Sequence, residues 1–448
     1  VRCLIVLKMA NDIDASQVTA ALLKWLHTDA SEIPGAAMFL RAYCSECRAL
    51  GLPVDRVYIG ASVMHSLVAT RAWKYDYGKD KVSDVTWTRD EWYGFIRDTI
   101  AGVVVDETKV GPYYHFLCGK PSVQYKITDE YLPSDLSWMQ EESYTELYGL
   151  PAKQKDLRQW LETEKMGGGM NGGFTWSTKR QGGFTDAHRQ VLRDTRDALV
   201  VIVRLCLAQH NSLTLLQTYL GEDAGSRVFH GDIERGEGLT IRSAIWFSDV
   251  RGFTKLSCEI DRTAMIEILN EVFDVTHKVI RKHCGEVLKF MGDGCMAIFH
   301  GQETGFHRTA SFKSTNNEAI DAEQGEIVCL RARMAAAEVG VELEKLRKDR
   351  ERLGKRGVSV GVGLNYGDVN YGNIGAVDRL DFTVLGSAVN LASRTESLCS
   401  KLGAHVLATQ DFVSLDGDPA AWKARGAHEV KGVAEPVNIY ELAEKVVP

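Results

Sequence analysis

A chain of 448 residues is too long for one ordinary domain, and at about 150 residues each it should hold two or three. Apolar residues make up 45% and charged residues 25%, the averages of folded globular chains, which excludes a disordered or fibrous polymer. With 53 Lys and Arg against 60 Asp and Glu the net charge is -7, so no global positive field is available to hold a nucleic-acid backbone, and no nucleic-acid partner is expected.

Val1 to Ala10 hold a short apolar patch between Arg2 and Lys8 with no small-residue cleavage site behind it. The best apolar run, Ala198 to Ala208, is broken by Arg204 and is shorter than a spanning helix requires. The expectation is a soluble, cytoplasmic chain without a membrane span. Ten cysteines spread singly through apolar stretches suit reduced, buried thiols, and the one close pair, Cys44 and Cys47, lacks the second pair or His of a metal site and reads as helix packing.

Short apolar runs separated by Gly, Pro and Asn, with alternation at Val57-Tyr58-Ile59 and again at Ala101 to Val105, predict a mixed α/β domain over residues 1–212. Lys165 to Phe184 is glycine-dense around Phe174-Thr175-Trp176-Ser177, which reads as a strand between flexible loops; no Gly-Lys-Ser/Thr follows to make a phosphate loop. Thr185-Asp186 opens a long helical pattern, with Asp186 as cap and Val191, Leu192, Ala198, Leu199, Ile202 and Leu205 on one face. Residues 213–239 turn amphipathic and then Gly-punctuated, and are expected to form a helical linker that either pairs with its copy in a dimer or serves as a spacer.

From residue 240 to 448 the pattern sharpens. Ile241, Ala244, Ile245, Trp246 and Phe247 predict a strand ending at Ser248-Asp249, followed by a turn at Val250-Arg251-Gly252. Asp261 caps a helix through Ile280 that is expected to end at Gly285. Strands Glu286 to Met291 and Cys295 to Phe299 flank Gly292-Asp293-Gly294, a strong hairpin signal. A polar loop from Gly301 to Gly325, a charged helix through Arg352, a strand through Val358-Val360-Val362-Leu364, and a helix from Ser387 to about Lys401 complete a β-α-β-β-α-β order, that of a ferredoxin-like core.

Asp249 and Asp293 then fall at neighbouring strand tips. Either alone is as readily a cap or turn residue. Together, with open positions for water and phosphate oxygens, they suit Mg²⁺, and two ions about 4 Å apart can activate an attacking oxygen and stabilise a leaving one. Gly252, Phe253 and Thr254 place backbone N–H groups at a strand-to-helix turn, where a phosphate meets donors and the positive helix end. Asn390 and Arg394, four apart, share a helix face, and the Arg fork can stabilise charge on a transferred phosphoryl group; the alternative is an exposed pair on a solvated helix. Lys431 is a further candidate phosphate cation.

Three stretches, Ala244 to Thr254, Leu288 to Gly294 and Asp381 to Arg394, resemble in order the motifs of the class III nucleotidyl cyclases, over about Thr240 to the C-terminus. The resemblance implies that Asp249 and Asp293, helped by the Val250 carbonyl, hold two divalent cations, Mg²⁺ or Mn²⁺. It implies that Phe253 and Thr254 lie under the triphosphate, that Lys431 meets its outer phosphates, that Asn390 orients the ribose, and that Arg394 stabilises the pentavalent phosphorus. Lys289 and Thr383 match the purine-reading pair and would face metals held by a second subunit, so a homodimer with two sites is implied. A Lys at the base edge donates to N1 of adenine, whereas guanine presents N–H there and prefers a carboxylate, which makes ATP the expected substrate. Residues 1–212 resemble, less specifically, a GAF-type sensory domain responding to an unknown small molecule or protein. The alternatives are a guanylate cyclase, or a silent nucleotide-binding regulator, which would be expected to lack a metal carboxylate, Asn390 or Arg394; a polymerase or diguanylate cyclase palm would need a Gly-Gly-Asp-Glu-Phe-like hairpin.

Overall fold

The computed structural model describes residues 13–63, 68–92, 94, 111–128, 132–133, 136–152, 172–301 and 318–443. The chain divides into two units, Val1–Leu215 and Leu216–Pro448.

In the first unit, Asp14 caps the helix Ala15–His27 by accepting from the N–H groups of Ser16 and Gln17 at 3.0 and 3.1 Å. Its Val18, Leu22 and Leu26, four residues apart, are buried. Cys44 and Cys47 lie on the buried face of the helix Gly35–Ala49 beside Tyr43, and burial pushes the Cys44 thiol up to about 12, as packing cysteines require. A six-stranded antiparallel sheet follows, built from β1 (Arg56–Ser62), β2 (Val68–Asp76), β3 (Lys81–Thr88), β4 (Val123–Lys126), β5 (Glu146–Pro151) and β6 (Gly172–Thr178) in the order β3-β2-β1-β6-β5-β4. The strands expected around Val57 and Phe174 are β1 and β6; the alternation at 101–105 and the glycines at 167–169 lie outside the described residues. Gly172 and Gly173 belong to strand β6 rather than to a loop. A Cβ on Gly172 would sit 1.7 Å from the Gly60 carbonyl oxygen, so close strand approach demands glycine there.

The next helix, Asp186–Asp194, is capped by Thr185 and not by Asp186. The Thr185 hydroxyl accepts from His188 N–H, and His188 Nδ1 accepts from Thr185 N–H at 3.0 Å, while Asp186 pairs with Arg189. The helix Arg196–Leu220 buries Leu199, Val200, Ile202, Val203, Cys206 and Leu207, but Leu205, expected on that face, is 43% exposed. By length and composition this one helix among the described residues could cross a membrane, contrary to the expectation that no segment would qualify; Arg204 is too little charge to offset its apolar neighbours.

The second unit begins at the end of this helix. Residues 222–239, expected as linker, are strapped to the body that follows. In the helix Glu222–Phe229 the Asp223 N–H donates to Glu286 Oε1 at 2.9 Å, Tyr371 donates its hydroxyl to Asp223 at 3.1 Å, and the Asn373 amide donates to the Asp232 carbonyl at 2.8 Å. Burial first, then the Asp223 charge, raises the Glu286 carboxyl to about 7.

β7 (Gly238–Val250) is the spine of an eight-stranded sheet whose main path runs β13-β14-β12-β10-β7-β9-β8, with β11 (Leu380–Leu385) paired to the far half of β10 (Val360–Gly375). The others are β8 (Glu286–Met291), β9 (Gly294–His300), β12 (Val406–Thr409), β13 (Trp422–His428) and β14 (Val437–Leu442). Alternation along β7 feeds two cores: Ala244 and Trp246 join the cluster under the helices Arg262–Lys282 and Glu318–Arg352, and Ile245 joins Leu288, Met296, Phe382 and Val384 on the other face. The β-α-β-β-α-β order therefore holds, with three changes at boundaries. The helix after Asp261 ends at Lys282, and Cys284, at φ 60°, makes the left-handed turn expected of Gly285; a Cβ on Gly285 would lie 2.5 Å from the Phe299 ring, so packing and not chain reversal selects that glycine. The helix Glu318–Arg352 starts inside the expected 301–325 loop, of which 302–317 lies outside the described residues. β10 starts at Val360 rather than Val358, where the two aligned antiparallel partners Val250 and Val360 first meet.

Candidate active site

Asp249 ends the central strand, and the β7–β9 register sets it opposite Gly294, the residue after Asp293. The hairpin turn is closed by Gly292 at φ 67°, a conformation that favours glycine, and it holds Asp293 at the neighbouring tip. A Cβ on Gly294 would stand 3.0 Å from the Ser248 carbonyl oxygen and 3.3 Å from Asp249 Oδ1, so a bare backbone there lets the first carboxylate through. The two carboxyl groups lie within hydrogen-bonding reach of one another. Partial burial, then that hydrogen bond and the Asp293 charge, lift the Asp249 carboxyl to about 6, while the Val250 N–H pulls it down. Two neighbouring carboxylates at one sheet edge form a donor set that fits hard divalent cations completed by water and phosphate oxygens.

Gly252, at φ 64°, turns the chain from β7 into the helix Phe253–Glu259, whose first N–H groups, those of Phe253 and Thr254, have no acceptor within the helix. Asn390 and Arg394 are exposed, one turn apart, on the helix Ser387–Leu402. That helix lies on β10 with almost no clearance: a Cβ on Gly363 would fall 2.3 Å from the Glu396 nitrogen and 2.7 Å from the Ala392 carbonyl oxygen. Lys431 is exposed in the turn after β13. Among the described residues no hydrogen bond or ion pair joins Asn390, Arg394 or Lys431 to the aspartate pair, whereas Asp249 and Asp293 meet each other.

Lys289 sits where the β8–β9 register shifts between Val287 and Lys289, an irregularity that re-aims a side chain. Its ammonium donates to Asp381, which the motif reading did not single out; Thr383, two residues along the same strand, is buried. A second carboxylate was also missed. Glu396 is pushed up to about 7, by burial first and then by Asp249, with Arg251 opposing and Asp293 adding to the rise. A Cβ on Gly361 would lie 2.9 Å from Glu396 Oε1 and 3.0 Å from Arg251 Nε, so this acid and base face each other across a glycine behind the aspartates. The signal for it was Gly361 and Gly363 alternating in a buried strand, which marks the close approach of another element.

Residues 240–444 match the family model of the adenylate and guanylate cyclase catalytic domain. An adenylate cyclase of Anabaena cylindrica is 31% identical over 218 residues, 47% of this chain and 38% of that protein. The terminal-differentiation specific adenylate cyclase of Dictyostelium discoideum is 30% identical over 47% of this chain and 9% of its own length. The chain thus spans less than half the length of either curated relative. The crystal structure of the adenylyl cyclase CyaB from P. aeruginosa is 28% identical, covering 46% of this chain and 96% of that one with a TM-score of 0.37.

Proposed function

We propose that the protein is an adenylate cyclase that converts ATP to 3′,5′-cyclic AMP and pyrophosphate in a homodimer, under control of an N-terminal GAF-like domain spanning residues 1–212. The observation that carries the reading is the pair of acids, Asp249 and Asp293, at adjoining tips of β7 and the β8–β9 hairpin, with Lys289 on the same hairpin. The names of the relatives above agree with it.

Asp249 and Asp293 would hold two divalent cations, Mg²⁺ or Mn²⁺, which when bound supply Lewis acidity to the attacking 3′-hydroxyl and to the departing pyrophosphate. The backbone N–H groups of Phe253 and Thr254 and the Lys431 ammonium hold the phosphates. Asn390 orients the ribose so that its 3′-oxygen lines up with the α-phosphorus, and the Arg394 fork receives the charge that gathers as the bond to the leaving oxygen breaks. Lys289 donates to N1 of adenine, and the Thr383 hydroxyl lies on the same purine-reading strand. Exposed apolar side chains flank this base-reading edge, Phe290 at 47%, Met291 at 41% and Leu385 at 52%, which supports its closure by a second copy. The six-stranded antiparallel sheet with helices before and after it supports a sensor role for the first unit, whose signal is an unidentified small molecule or protein.

The test is to supply Mn²⁺ with ATP or GTP and measure cyclic product. ATP should be turned over and preferred; a preference for GTP contradicts the role of Lys289. A second expectation concerns pH. Because the Asp249 carboxyl is raised above its ordinary value, the cation-free folded state binds the proton more tightly than the unfolded chain does, and the pair's contribution to stability declines as pH rises from about 4 through about 6. Cations then have to displace that proton below about pH 6. The rise in Tm on adding Mn²⁺ should therefore be larger at pH 7.5 than at pH 5, and an equal rise at both would rule out cation binding by this pair.

A further inference from the structure

Arg251 leaves β7 two residues after Asp249 and reaches three other parts of the second unit. Its backbone N–H donates to the Ser359 carbonyl at 2.8 Å, just ahead of β10. Its guanidinium donates through a terminal nitrogen to the Ala404 carbonyl, two residues beyond the helix Ser387–Leu402, a bond between residues 153 apart in sequence. The Nε of the same guanidinium is buried and has no acceptor among the described residues. The acid that faces it is Glu396. Arg251 Nε and Glu396 Oε1 both lie within 3.0 Å of the point that a Cβ on Gly361 would occupy, and Gly361 pairs with Asp249 between β10 and β7. Glu396 feels the guanidinium, whose charge opposes the rise that burial and Asp249 impose on its carboxyl.

The two elements joined in this way carry different parts of the proposed machinery. The turn holds the Val250 carbonyl and the N–H groups of Phe253 and Thr254; the helix holds Asn390 and Arg394. Arg394 and Glu396, two residues apart, point about 200° away from each other around the helix, so Arg394 is exposed while Glu396 is half-buried against the sheet. An arginine fork is planar and carries five donors, enough to serve a carbonyl and a carboxylate at once in one fixed orientation. We propose that Arg251 is a positioning residue, which fixes the turn after β7 relative to the helix Ser387–Leu402 within each copy, with Glu396 as the counter-charge that holds its guanidinium in place. It touches no substrate atom. This rests on the adenylate cyclase reading and deepens it.

The experiment uses the full-length protein with Mn²⁺ and ATP, and compares wild type, Arg251→Ala, Glu396→Gln and the double variant. Misplacing aligned groups by about 1 Å costs about 10²-fold, so Arg251→Ala should lose about that factor in kcat. The contacts on each element survive, so KM should stay within about threefold. Asp249 and Asp293 are untouched, so the rise in Tm on adding Mn²⁺ should keep its wild-type size. Glu396→Gln should lower kcat about tenfold by itself and less than about twofold in the Arg251→Ala background, because the two side chains act as one unit. A kcat within threefold of wild type in Arg251→Ala, a KM that rises as far as kcat falls, a lost Mn²⁺ effect on Tm, or fully independent losses in the double variant would each overturn the proposal. If Arg251→Ala shows no cooperative melting, Glu396→Gln decides: a tenfold loss in kcat with KM and the Mn²⁺ effect retained supports the proposal, and wild-type kcat overturns it. A wild-type protein that makes no cyclic product refutes the cyclase reading itself, a different outcome from all of these.

Discussion

Asp293→Ala leaves a folded protein that makes no cyclic nucleotide. Asp293 is half-buried in a hairpin turn whose geometry is set by Gly292 and Gly294, and it belongs to none of the hydrophobic core clusters, so truncating it removes little packing. Its loss also relieves Asp249 of a like-charged neighbour, and the cation-free Tm at pH 7 should stay level or rise. The chemistry responds in the opposite direction. Half of the cation-holding pair is gone, and cyclic AMP formation should fall by at least about 10³-fold, with the Tm rise on adding Mn²⁺ lost alongside. Calorimetry with and without Mn²⁺, beside a product assay, checks both halves. A variant that retained a tenth of the activity would remove Asp293 from the site.

Gly363→Ala should fail in the complementary way, through structure. The added carbon would lie 2.3 Å from the Glu396 nitrogen, 2.6 Å from its Cα and 2.7 Å from the Ala392 carbonyl oxygen, all backbone atoms that no rotamer change can move aside. The helix Ser387–Leu402 has to lift off β10, and overpacking of this kind costs about 3 kcal/mol or more. For a unit of this size that lowers Tm by roughly 6–12 °C. The displaced helix carries Asn390 and Arg394, and a shift of about 1 Å at positioning groups costs about 10²-fold in rate, so kcat should drop in whatever fraction stays folded. Unchanged Tm and kcat would mean that the helix does not rest on Gly363 as described.

The contrast between these variants follows what the sequence could and could not reveal. Asp249 and Asp293 were legible because each is marked locally, one by the apolar run that drives its strand into the core and the other by flanking glycines that only a tight turn requires. The hairpin, the cap at Asp261 and the helix after Gly386 were legible for the same reason. Glu396 and Asp381 were not, because their meaning comes from residues far along the chain: Glu396 faces Arg251 only after the helix settles on Gly361 and Gly363, and Asp381 meets Lys289 only after two ends of a sheet share a core. The strap of residues 222–239 was hidden too, since its polar composition reads as solvated until the buried Glu286 is found beneath the N–H of Asp223. Glycine was ambiguous throughout. Gly252 and Gly292 turn the chain, Gly285 and Gly363 admit a neighbour, and the letter alone does not separate the two uses.

The central claim is that each site draws its acids from one copy of the chain and its base-reading lysine from the other. Mixing Asp293→Ala with Lys289→Glu, each inactive on ATP alone, tests it. If copies exchange freely, half of the dimers carry one variant of each kind, and in each of those one of the two sites is intact, so the mixture should recover about a quarter of the wild-type ATP cyclase activity. A mixture no more active than its separate components, under conditions where the copies are shown to exchange, would contradict the account.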